Sequence, residues 1–343
     1  MKLAILLIVI LSNQGYWIGG QEGTITIREA ARGGLPAADL SWELMFANVR
    51  LGNGRVAMAA HDGETTVRIA APQCRVRIAL HWTYRLTARG TGQVLEQGDI
   101  PIQLFPDDLL DDLAPRLSQK RLVIWDRVQG IPAVLNAAKA PYTRVDSENS
   151  LQFAKADAVL VGADMLGNSI FEQATLRALV EGGASVMIFE QKSAERLMGY
   201  SVAKRNAPTQ LEWRLDHPLL RDFQPEDLQS WIAAMPALSI LQLPANEPAL
   251  ELGYYGPEVS VNQPWPIDGV LVTRTVGAGR IVLCQIPLGD WVHDPRSQIL
   301  LRNAIDYLLT RPQPTPRPSD RLTPRPVELP QVPTIPLSSG GFP

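Results

Sequence analysis

Three short apolar runs separated by helix-length spacers restrict this chain more than anything else in it. Arg121-Leu-Val-Ile-Trp-Asp126, Asp157-Ala-Val-Leu-Val-Gly-Ala-Asp164 and Ala184-Ser-Val-Met-Ile-Phe189 each read as a strand buried on both faces. A helical stretch from Ser169 to Glu181 leads to Gly182-Gly183 and the third of them. Strands of this kind joined through helices predict a parallel sheet with helices on both sides, a flavodoxin-like α/β domain over about 119–311. Its later part departs from simple alternation. Val270 to Val276 and Arg280 to Ile286 flank Gly277-Ala-Gly279 as a hairpin, and a helix over Pro295 to Leu309 follows, with Asp294 as its cap.

Upstream, residues 24–106 read as strand after strand. Thr24-Ile-Thr-Ile-Arg28, Leu40 to Phe46 and Thr66 to Ala70 alternate, with turn residues at Gly33-Gly34, Gly52-Asn-Gly54 and Asp62-Gly63. Cys74 to Leu86 places Val76, Ile78, Leu80, Trp82, Tyr84 and Leu86 on one face and Arg75, Arg77, His81 and Arg85 on the other. That spacing predicts an antiparallel β-sandwich whose polar face suits a structural or docking module.

At 343 residues the chain has room for both domains, and a net charge of -3 gives no electrostatic reason to expect nucleic acid. Cys74 and Cys284 fall in different predicted domains, so neither a disulfide framework nor a thiolate metal site is expected. His61, His81, His217 and His293 show no metal-ligand spacing, and no cofactor or metal is expected. Residues 1–20 read in two ways. Lys2 followed by Leu3 to Leu11 resembles a secretory signal, which implies a secreted or periplasmic protein, and is too short for a stable membrane span. The alternative is a strand of a longer, cytoplasmic parent. Residues 312–343 carry proline at about every third position, the composition of an extended, disordered tail.

Ligands of open parallel sheets gather at the carboxyl ends of the strands. Those ends carry Asp126, Asp164 and Glu190, three acids suited to a metal or polar ligand or to acid/base work, or else to capping the helices that follow. His217 stands in the polar loop Leu215-Asp-His-Pro-Leu-Leu220, without an evident nucleophile or metal. Cys284, inside an apolar strand, reads as a small inert hydrophobe. Asn246-Glu247 matches the acid/base dipeptide of many retaining glycosidases, but the chain has too few βα units for their barrel. Gly277-Ala-Gly279 precedes a strand, so it is a turn and not a phosphate loop.

Two stretches carry a family likeness. His217-Pro-Leu-Leu-Arg-Asp-Phe with Glu226-Asp-Leu-Gln-Ser-Trp231, and Gly277 to Leu288 followed by Asp294-Pro and Leu300 to Tyr307, resemble the glutamine-amidotransferase-like module at the C-terminal end of secreted bacterial proteins related to glycoside hydrolase family 2. The resemblance spans about 24–311 and implies an immunoglobulin-like sandwich ahead of the module. In class I amidotransferases a Cys stands in a glycine-flanked turn after a central strand, with a His-x-Glu further on. Here the matching turn is Phe189-Glu-Gln-Lys, and His217 is followed by Pro218-Leu219. Amidase activity is therefore not implied, and no catalytic residue is expected. The expected function is that of a non-catalytic accessory or interaction protein of extracytoplasmic carbohydrate metabolism, with a carbohydrate or protein partner. Two other readings stand beside it: a hydrolase of a carbohydrate or amide acting through Asp164, Glu190 and His217, and the C-terminal fragment of a larger glycosidase.

Overall fold

A computed structural model describes residues 7–29, 36–59, 64–167, 170–206, 210–233, 237–244, 251–254 and 267–310. His61, Asn246, Glu247 and the proline-rich tail lie outside the described residues. The chain opens with β1 (Leu7–Leu11), β2 (Tyr16–Ile18), β3 (Glu22–Glu29), β4 (Ala38–Phe46), β5 (Val49–Met58), β6 (Glu64–Ala70), β7 (Ile78–Ala88) and β8 (Val94–Phe105). These make two sheets, β1-β3-β6 and β2-β8-β7-β4-β5. Period-two alternation supplies the reason. Leu80, Trp82 and Leu86 of β7 point inward with Leu40 and Leu44 of β4, and Ile25 and Ile27 of β3 meet them from the other sheet in one core.

The sandwich includes residues ahead of Thr24. Of the apolar start, Leu7–Leu11 forms β1, which pairs antiparallel with β3, and β2 pairs parallel with β8, burying Tyr16, Trp17 and Ile18. The expected run from Cys74 begins later. Val76 is exposed, and Arg77 turns away from water to form a two-pronged ion pair with Asp227, at 2.7 Å on both contacts. A guanidinium facing a buried carboxylate prevails over the alternation of its neighbours, because an unpaired buried charge costs more than a short loop.

The second part runs α1 (Leu113–Leu117), β9 (Leu122–Trp125), α2 (Gly130–Ala137), β10 (Thr143–Arg144), α3 (Glu148–Phe153), β11 (Ala158–Val161), α4 (Ile170–Glu181) and β12 (Ser185–Ile188). An insertion follows: β13 (Arg196–Leu197), β14 (Tyr200–Asn206), β15 (Gln210–Trp213), α5 (Pro225–Ala233), β16 (Ala237–Leu243), β17 (Glu251–Tyr254) and β18 (Ile267–Gly269). The chain then returns through β19 (Leu271–Val276), β20 (Gly279–Cys284) and α6 (Pro295–Leu309). The main sheet has the order β10-β9-β11-β12-β20-β19, with every pair parallel except the β19–β20 hairpin.

Both faces of that sheet are buried. Leu122, Ile124, Leu160, Met187 and Val282 face α1, α2, α5 and α6 on one side. Val123, Trp125, Val159, Val186 and Ile281 face α3 and α4 on the other. Strands β13 to β18 make a separate six-stranded antiparallel sheet that the sequence did not announce. Tyr16 and Phe105 of the sandwich belong to the same apolar cluster as α5 and α6, so its core continues into the second part.

Candidate functional site

The carboxyl ends of β9, β11 and β12 carry Asp126, Asp164 and Glu190 side by side in strand order. Asp126 is buried just past β9. Its Oδ1 accepts from the Val128 amide at 2.9 Å and its Oδ2 from the Ile131 amide at 3.2 Å, so it holds the first turn of α2. Gly162 is required opposite it, since a Cβ there would collide with the Asp126 carboxylate.

Asp164 takes a left-handed backbone, with φ 52°. Its own amide donates to the Glu190 carbonyl at 2.9 Å, and its Oδ1 accepts from the Lys192 amide at 2.6 Å and the Ser193 amide at 3.3 Å. The carboxylate therefore ties the β11 loop to the β12 loop. The neighbouring loop presents its two amides at short range across the sheet edge, while residues 168 and 169, on which the expected capping role of Asp164 bears, lie outside the described residues.

Glu190 is buried, with Lys192 Nζ 3.3 Å from its Oε2. Burial raises its pKa above the ordinary carboxylate range, Lys192 works against that rise, and the nearby Asp164 charge adds to it. Next to it Gln191 is wholly enclosed. Its Nε2 donates to the carbonyls of Gly162 at 2.9 Å and Phe189 at 2.6 Å, its Oε1 accepts from the Leu166 amide at 2.9 Å, and its backbone amide donates to Gln285 Oε1 at 3.1 Å. Gln285 Nε2 stays buried without a partner among the described residues.

This glutamine bracket escaped sequence reading. The available signal was a polar residue inside the apolar run Val282-Leu-Cys-Gln-Ile286, which in a core requires satisfied hydrogen bonds. Trp291 packs edge-on to Phe189 with ring centroids 4.9 Å apart, and it lies so close to Gly130 that no side chain fits there.

His217 does not join these acids. Its ring packs on Tyr307 near the end of α6, 4.8 Å between centroids, and its Nδ1 accepts from the Leu219 amide at 3.2 Å. Arg280 stacks on the same Tyr307 ring at 3.8 Å and donates to the Tyr307 carbonyl. Arg280, the second residue of β20, is in register with Ser185 at the start of β12, so His217 stands at the amino edge of the sheet, opposite Glu190. Burial, with Arg214 and Arg280 nearby, lowers its pKa to about 4. Such an imidazole is neutral at physiological pH, and its Nδ1 lone pair is already engaged.

Cys284 is fully enclosed in β20, and burial pushes its thiol up to about 12. Among the described residues no three His, Cys, Asp or Glu side chains converge as a metal site would require. The outward face of β5, β4, β7 and β8 forms a trough of about 950 Å³ with Ser41, Glu43, Arg55, Thr83, Arg85 and Asp99 along it. Every one of those side chains can hydrogen-bond.

No protein-family model and no curated protein matches the chain. Among solved structures, a Niemann-Pick type C2 protein from the Japanese carpenter ant aligns with 30% of this chain and 95% of its own, at 8% identity and a TM-score of 0.22. The CARDB domain of a Pyrococcus furiosus protein aligns with 31% of this chain and 98% of its own, at 10% identity and a TM-score of 0.22. An FMN-binding beta-glucuronidase from Facaelibacterium prausnitzii aligns over 53% of this chain and 39% of its own, at 8% identity and a TM-score of 0.23. Alignments this loose carry no argument, and the fold rests on its own strand pairing.

Proposed function

We propose that this protein is a non-catalytic accessory or interaction protein: an immunoglobulin-like sandwich joined to a flavodoxin-like, amidotransferase-like domain that lacks its nucleophile. The strand order β10-β9-β11-β12-β20, counted along the chain as 2-1-3-4-5, supports the flavodoxin-like plan. One observation carries the functional reading. Where that plan would carry a nucleophile after β12 stands Glu190, buried beside Lys192, followed by Gln191 with its amide spent on the fold. Asp126 accepts from backbone amides through both oxygens and Asp164 through its Oδ1, so both carboxylates serve the fold.

By the resemblance read from sequence, the setting is carbohydrate metabolism outside the cytoplasm. The trough on the sandwich is the docking face for a carbohydrate or protein partner, and the hydrogen-bonding side chains along it, beside Trp42 and Tyr84, support a partner with both hydroxyl and apolar surface. The test is turnover of aryl glycosides and of glutamine by the purified protein beside a mock-purified control. No turnover above the control is expected. Turnover that vanishes in Glu190→Gln while the fold survives would establish a hydrolase instead.

A further inference from the structure

Two adjoining recesses lie along α4, on the face of the main sheet opposite α6. The inner one, about 200 Å³, has Met198, Tyr200, Val272, Ile281 and Leu283 in its wall, together with Arg274, a guanidinium that is already engaged. The outer one, about 460 Å³, opens past Ile170, an apolar side chain left 80% exposed. Arg177 and Glu181 line both.

Those two residues sit one turn apart on α4, yet no ion pair forms between them or with another described residue, so both charges border the recess uncommitted. The order matters. An acid four residues before a base is the favourable helical pair, and the reverse order found here is the weaker one. A bidentate donor and a carboxylate acceptor thus flank a largely aliphatic hollow larger than the roughly 150 Å³ cavity that admits benzene.

We propose that this recess binds a free α-amino acid with a large apolar side chain. The α-carboxylate lies on the Arg177 guanidinium, the α-ammonium on the Glu181 carboxylate, and the side chain enters the inner hollow beside Val272 and Leu283. Opposite charges joined through one carbon are the chemistry that both wall residues recognise together. A simple acid leaves Glu181 unmatched, and a simple amine leaves Arg177 so. The site is separate from the acids at the carboxyl edge of the sheet and does not depend on their role.

Isothermal titration of the full chain with phenylalanine, 3-phenylpropionate, phenethylamine and glycine tests the assignment. Phenylalanine should bind at least about ten-fold tighter than each of the other three, because each lacks one charged contact or the apolar group. Arg177→Gln and Glu181→Gln, both exposed helix positions, should each weaken phenylalanine by about ten-fold with an unchanged circular dichroism spectrum. No binding of phenylalanine, equal binding of 3-phenylpropionate, or full affinity in either folded variant would overturn the proposal.

Discussion

At the scale of single residues, polar side chains near strand ends divide into those that serve the backbone and those that bear buried charge. Asp126 belongs to the first kind, and Asp126→Ala should cost about 1–2 kcal/mol in denaturant unfolding through loss of the α2 contacts. His217 behaves differently. Its folded pKa of about 4 lies below the ordinary 6.5, so between those values the unfolded chain binds a proton that the native protein refuses. Native stability therefore falls as pH drops from 6.5 toward 4, and the loss is complete below that range. For a half-buried ring beside Arg214, Arg280 and Asp216 the loss amounts to about 1–2 kcal/mol after solvent screening. In His217→Asn, which keeps an acceptor for the Leu219 amide, this part of the pH slope should vanish from thermal melts; an unchanged slope would assign it elsewhere. Cys284 was legible at this scale as a small hydrophobe, since it sits mid-strand among apolar neighbours. Thiol reagents should modify it in denaturant and leave it almost untouched in the native protein.

At the scale of elements, local pattern and tertiary use agree closely in some places and part in others. Helix α6 was readable to the residue because Asp294 accepts from the Arg296 amide at 2.9 Å and Pro295 takes the first position. The β19–β20 hairpin was readable because Gly277 adopts φ 58°, a backbone that the sequence marks with glycine. Strands β1 and β2 were ambiguous, since an apolar run of this length serves a leader and a strand equally well. In the fold Trp17 is buried and lies against Gly23, where any side chain would strike its ring. A chain beginning at Gln21 loses the buried side chains Tyr16, Trp17 and Ile18, so its thermal midpoint should drop by about 10 °C or more. An unchanged midpoint would mean that the first twenty residues contribute nothing to the folded state.

At the scale of the whole molecule, sandwich and α/β part share one lock. Arg77 reaches from the sandwich to Asp227, its guanidinium also lying 4.8 Å over the Phe105 ring. Arg296 of α6 stacks 4.0 Å over Tyr16, is paired with Asp294 at 2.7 Å, and is almost fully enclosed. Asp227→Asn leaves the Arg77 charge without its carboxylate and should destabilise the protein by about 3 kcal/mol. Calorimetry of the native protein should show one cooperative transition. Two separate transitions in the unmutated chain would mean that the lock does not couple the parts. What the sequence determined by itself was the layering: period-two alternation requires a half-buried sheet, and runs such as Val159 to Val161 require burial on both faces wherever they pair. Tertiary structure alone decided which strands became neighbours, that β13 to β18 form their own sheet, and that His217 and Glu190 lie at opposite edges. Apolar periodicity records only whether a side chain leaves water. The partner it meets depends on chain reversals and on buried charges such as Arg77 and Asp227, 150 positions apart, whose pairing no local pattern encodes.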